Sequence, residues 1–193
     1  MLAPRDDEAG GTWIGLSPRG VVAAVTNRFT GRPADPVRRS RGELVGLALA
    51  HDSAAAAAGA LMLLDARTWN PFHLVIADAR SAWRWDDHGA ASLAPGLHVV
   101  TELTPGADER EAWLRSQWPA TPDVDALHAL MSTHGEQPFS RCCVHYGETY
   151  GTRSSTLVFL GPVPPDARLF VADRRPCEQG FTERADLLAA APR

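Results

Sequence analysis

Residues 71–78, PFHLVIAD, run into residues 81–87, SAWRWDD, with only Ala79 and Arg80 between them. Branched and aromatic side chains fill both segments, and the short break marks a tight turn, so the pair reads as two joined strands. The first is apolar on both faces except for His73, which is the pattern of an interior strand. Upstream, Thr12–Leu16 and Val21–Thr26 flank Ser17-Pro18-Arg19-Gly20, whose proline and glycine suit a type I turn and predict a hairpin. After a loop from Gly31 to Pro36, Ser40-Arg41-Gly42-Glu43 fits a capping box. Leu44, Leu47 and Ala48 follow at helical spacing, with His51 on the same stripe. Asp52 is the expected cap of a second, alanine-rich helix over 53–64.

Downstream, GLHVVTE (96–102) reads as another strand. Helices are expected over 107–117 and 123–134, separated by Pro119 and Pro122. RCCVHY (141–146), SSTLVFL (154–160) and RLFVAD (168–173) complete the strands. The order ββ–αα–βββ–αα–βββ groups strands and helices in runs, which predicts α+β or layered architecture with antiparallel sheets.

Composition sets the outer bounds. A chain of 193 residues with 45% hydrophobic and 22% charged residues is expected to form one soluble domain, 1–193. The net charge of −4 gives no electrostatic reason to bind nucleic acid or anionic lipid. All 19 basic residues are arginine, which excludes Schiff-base and P-loop lysine chemistry. Three cysteines do not make a secreted disulfide framework. No run approaches the ~20 apolar residues of a membrane span. The acidic start, MLAPRDDEAGG, does not resemble a signal peptide, so a cytoplasmic location is expected.

Motif spacing narrows the chemistry. Cys142, Cys143 and His145 are close in sequence, but strand alternation puts Cys142 on the face opposite the other two. With no C-x-x-C or H-E-x-x-H spacing, no metal site is expected, and the cysteines read as small buried hydrophobes. GLSPRG (15–20) lacks the spacing and context of a serine-hydrolase elbow, and GGTWIG (10–15) those of a dinucleotide loop. His51, His73, His98 and His134 sit where packed histidines are common, and no haem-attachment motif is present. YGTRSST (150–156) remains: Arg153 at a strand mouth can clamp a carboxylate bidentately while Thr152, Ser154 and Ser155 donate hydrogen bonds.

GGTWIG, SRGEL, NPFHLVIAD, PGLH, YGTRSST and FTER occur here in the order typical of the NRDE family, which includes the transport and Golgi organization protein 2 of animals. The resemblance runs from Gly10 to about Asp186. It implies an α+β, four-layer αββα sandwich resembling the N-terminal-nucleophile hydrolases, and descent from amidohydrolases that cleave the C–N bond of a small amide. In such enzymes an N-terminal cysteine attacks and its own α-amino group is the base. Here Leu2 stands in that place, and Arg5-Asp6-Asp7-Glu8 only echoes the Asn-Arg-Asp-Glu motif. The resemblance therefore implies a truncated member lacking the first strands and the nucleophile, inactive as written: either its native start lies upstream of Met1 or it is a true truncated form.

The residues that carry over are Asn27, a candidate oxyanion donor, and Arg153 with Thr152 and Ser154, candidate partners of a substrate carboxylate. Thr101 or Glu102 stands where many members have asparagine. No cofactor is expected, and the implied partner is a small amide or carboxylate. The alternative implied by the family is a non-catalytic haem- or metabolite-binding or trafficking protein.

Overall fold

The computed structural model describes residues 1–7, 10–103, 106, 108–148, 150–162 and 166–190. The chain divides into two compact units. One comprises Met1–Thr104 with Leu160–Ala167 and Ala189–Arg193, the other Pro105–Phe159 with Arg168–Leu188.

The first unit is built on a five-stranded antiparallel sheet, taken up in chain order: β1 (Ile14–Leu16), β2 (Val22–Asn27), β3 (Phe72–Ala77), β4 (Ala82–Asp86) and β5 (Gly89–Leu93). As its apolar pattern predicts, β3 is central. Ser17–Gly20 closes the β1–β2 hairpin, with the Gly20 amide donating to the Ser17 carbonyl at 3.0 Å. Asp78 closes β3–β4 by accepting from the Arg80 and Ser81 amides, both at 2.8 Å.

Helices α1 (Gly42–Leu49) and α2 (Ala54–Leu61) pack on this sheet. In α2, Ala54, Ala57, Ala58 and Leu61 are buried at i, i+3, i+4 and i+7, the spacing of a single helix face. They meet Phe72, Leu74 and Ile76 of β3 and Trp85 of β4, which share one sheet face by alternation. Each fully buried leucine or phenylalanine in this core contributes roughly 1.5–3 kcal/mol. Alanines on α2 allow the helix to approach closely enough for these larger side chains to fill the space.

Several local expectations are corrected. GLHVVTE (96–102) is not a strand; the fifth strand is Gly89–Leu93, formed by pairing with β4 across the turn at Asp87-His88. Around Ser40 no capping box forms. Glu43 pairs with Arg39 at 2.7 Å instead of reaching back, and the Ser40 hydroxyl accepts from the Gly42 amide. Ser53 rather than Asp52 caps α2, accepting from the Ala56 amide at 3.1 Å. Asp52 pairs with Arg19. α1 ends at Leu49, so His51 lies beyond its apolar stripe.

In the second unit α3 (Glu109–Gln117) and α4 (Val124–Ser132) are capped by Asp108 and Asp123. Ala107, expected at the start of the first of these helices, lies outside the described residues, as does Glu8. Of the expected strand 141–146 only β6 (His145–Tyr146) forms, paired with β7 (Tyr150–Gly151). A second small sheet has the order β10-β9-β8, from β8 (Ser155–Leu160), β9 (Ala167–Ala172) and β10 (Thr182–Glu183). Helix α5 (Ala185–Ala190) follows. Antiparallel sheets with helices in separate runs make the chain α+β.

Candidate functional site

Two glycines bring the first site together. Gly11 and Gly42 touch backbone to backbone, and a Cβ on Gly42 would lie 2.9 Å from the Thr12 nitrogen. One on Gly11 would lie 2.9 Å from the Gly42 Cα. The start of α1 is thereby held against the segment leading into β1. Asn70 fastens the 34–42 loop to the same region. Its side chain accepts from the Asp35 amide and donates to the Asp35 carbonyl, both at 2.8 Å. Arg41 donates to the Pro71 carbonyl and Arg38 to the Trp69 carbonyl, each at 3.1 Å.

The result is a cleft of ≈ 500 Å³ whose wall includes Thr12, Trp13, Asn27, Arg38, Arg39, Arg41 and Asn70, with Asp6 and Asp35. Burial lowers the pKa of Arg41 without removing its charge at neutral pH. Arg39 lies over the Trp69 ring at 5.2 Å while pairing with Glu43. Asn27, singled out from the sequence, is at the end of β2 on this wall. Arg38, Arg39, Arg41 and Asn70 were not singled out as site residues. Their signal was the basic run PVRRSR (36–41) beside a glycine that has to stay small.

On the sheet face opposite the helices, His73 is buried across from Asp86, with Nδ1 3.6 Å from its carboxylate. Burial lowers the His73 pKa. Asp86 opposes that shift, and Arg84 and Arg28 add to it, so the ring is neutral at physiological pH.

The other candidates belong to the second unit. Arg153 and Ser154 are exposed just before β8, as the sequence predicts for a strand mouth. Arg153 and Thr152 line a cleft of ≈ 600 Å³ with Arg174, Arg175, Glu148, Asp173 and Glu178. The Thr152 hydroxyl is occupied structurally, accepting from the Val144 amide at 2.9 Å and donating to the Cys142 carbonyl at 3.4 Å. Ahead of it, Gly151 has φ +149°, and a Cβ there would meet the Val144 carbonyl. YGTRSST thus fixes the β6–β7 pair as much as it presents Arg153.

Alternation puts Cys143 and His145 on one face, but sequence spacing gave no sign that Cys177 joins them. Cys143, Cys177 and His145 converge, with 3.4 Å between the sulfurs and 3.5 and 3.2 Å from His145 Nε2 to Cys143 and Cys177. Burial pushes the Cys143 thiol up to about 11, and its hydrogen bond to Cys177 adds to this. Cys142 is also pushed up to about 11 by burial, against the pull of Arg110. Burial, Arg175 and His134 together lower the pKa of His145. Among the described residues no helix is long and apolar enough to cross a membrane.

Antiparallel sheets, helices in separate runs and an arginine-lined cleft define an α+β protein with a polar cleft. The chain belongs to the Transport and Golgi organisation 2 family, whose model matches residues 1–119. That span contains GGTWIG, SRGEL, NPFHLVIAD and PGLH, the first three of which build the cleft. YGTRSST and FTER lie beyond it. The chain is also 36% identical over 77 residues to the Transport and Golgi organization 2 homolog of Mus musculus. The match covers 40% of this chain and 28% of the mouse protein, less than a third of that relative's length.

Proposed function

We propose that this chain binds a small molecule bearing a carboxylate or amide in the cleft between the GGTW and SRG segments. One observation supports the reading: three family motifs converge there, bringing Arg41 and Asn70, and Arg38, Arg39 and Asn27 line the same ≈ 500 Å³ space. Guanidinium groups match the planar fork of a carboxylate, and the Asn27 amide complements an amide or developing oxyanion, while Asn70 holds the loop that carries the arginines. Asp6 and Asp35 on the same wall favour a ligand that also carries a donor. The resemblance to N-terminal-nucleophile hydrolases supports a deeper reading, in which the scaffold is an αββα sandwich descended from amidohydrolases and the cleft is the former substrate site.

Thermal-shift titration with a series of small mono- and dicarboxylates and their amides tests the binding. At least one should stabilise the chain saturably. Arg39→Gln, which loses the pair with Glu43 and the cation contact over the Trp69 ring, should keep the fold and weaken that ligand about tenfold or more, as loss of a charge-assisted hydrogen bond does. No saturable shift across the series, or unchanged affinity in the variant, would overturn the proposal.

A further inference from the structure

We propose that Cys143, Cys177, His145 and His134 form a zinc site in the second unit. A tetrahedral zinc ion with Zn–S about 2.3 Å and Zn–N about 2.0–2.1 Å sets ligand–ligand edges of about 3.8 Å for S–S and about 3.6 Å for S–N. The structure shows 3.4 Å between the two sulfurs, and 3.5 and 3.2 Å from His145 Nε2 to them. Each edge lies within about half an ångström of the tetrahedral value. His134 supplies the fourth corner. One of its ring nitrogens, a ring nitrogen of His145 and the Cys177 sulfur lie within 4.8 Å of one another, and its ring lies 4.8 Å from that of His145, so the His134 side chain moves inward to close the tetrahedron.

The ligands come from three segments that are tied together beside the cluster. The Cys143 amide donates to the Thr133 carbonyl at 3.0 Å, joining the neighbours of Cys143 and His134. The Ser132 hydroxyl donates to the Pro176 carbonyl at 2.9 Å, joining the end of α4 to the residue before Cys177. Such anchoring holds the side chains in place before a metal arrives, and a Cys₂His₂ set suits zinc among the available divalent ions. Binding would displace one proton from each thiol, leaving two thiolates that neutralise the ion's charge. The location also calls for a staple, because the paired strands β6 and β7 have only two residues each.

Zinc content and cobalt substitution of the whole purified chain test the site. The reduced protein should bind about one zinc per chain. Cobalt in its place should show the ligand-field bands of a tetrahedral ion and sulfur-to-cobalt charge transfer. Cys177→Ser should abolish the charge-transfer pattern of two thiolates, whereas Cys142→Ser should leave it unchanged. Should Cys177→Ser fail to fold, mercurial modification of the wild-type thiols must release the zinc in step with thiol loss. Absence of zinc binding by the reduced chain, cobalt spectra without sulfur charge transfer, or equal loss in Cys142→Ser would each overturn the proposal.

Discussion

At Gly42 the requirement is for space rather than for unusual backbone. An added methyl would sit 2.9 Å from the Thr12 nitrogen, a backbone atom that moves only if the β1 segment moves with it. Gly46, one turn further along α1, has nothing within 4 Å of the same hypothetical atom. The two sites therefore predict opposite signs for the same substitution. Gly42→Ala should destabilise the chain by about 1–3 kcal/mol through overpacking and weaken ligand binding in the cleft. Gly46→Ala should stabilise it by about 0.5–1 kcal/mol, because alanine loses less backbone entropy in a helix. Urea denaturation of both variants measures the difference, and a shared sign would show that the Gly11–Gly42 contact does not set the cleft's geometry.

Among the elements, α2 depends on a contact that local sequence does not announce. Its first turn is satisfied from within by Ser53 and from outside by Asp78, whose carboxylate accepts from the Ala54 amide at 2.7 Å. Burial raises the Asp78 pKa, but hydrogen bonds from Ala54, Arg80 and Ser81 outweigh it, and the net shift is downward. A carboxyl held below its unfolded pKa of about 3.9 stabilises the fold fully at neutral pH. That contribution fades as pH falls below the unfolded value and is gone below the folded one. Asp78→Ala should cost about 1–2 kcal/mol at pH 7. Asp78→Asn should flatten part of the stability loss on acidification, read from denaturation midpoints between pH 7 and pH 3. The turn that carries Asp78 was legible because β3 and β4 announce themselves by β-branched and aromatic runs. β5 was not, since Gly89-Ala90-Ala91-Ser92-Leu93 has little strand character and is drafted into the sheet by β4. GLHVVTE has that character, yet its region is held through other contacts, among them the Glu102 carbonyl accepting from the Phe29 amide at 2.7 Å. Asn27, singled out through the family resemblance rather than from the strand pattern, lies at the end of β2 on the cleft wall. The arginines of the 36–41 loop left only a basic run as a signal, and Cys177 gave none of its place beside Cys143 and His145, because long-range packing assembles both sites.

For the whole molecule, the division into two compact units carries a consequence for unfolding. The first unit has a continuous apolar core from Val21 through Leu44, Leu61, Phe72 and Ile76 to Trp85. The buried apolar residues of the second are fewer and include Leu114, Leu127, Leu130 and Cys143, beside short strands. Cooperativity follows shared burial, so each unit should unfold in its own step, and a single two-state treatment should fail. Substitutions in different units should then act independently, since sites without common partners add. Asp78→Ala should lower the midpoint of one transition and leave the other in place. Cys177→Ser, or a chelator on the zinc-loaded chain, should lower the other alone, because a ligand stabilises only the part that folds around it. Calorimetry resolves the two cases: one transition that moves with both variants would mean that the chain melts as a single cooperative body, and that its two cores act as one.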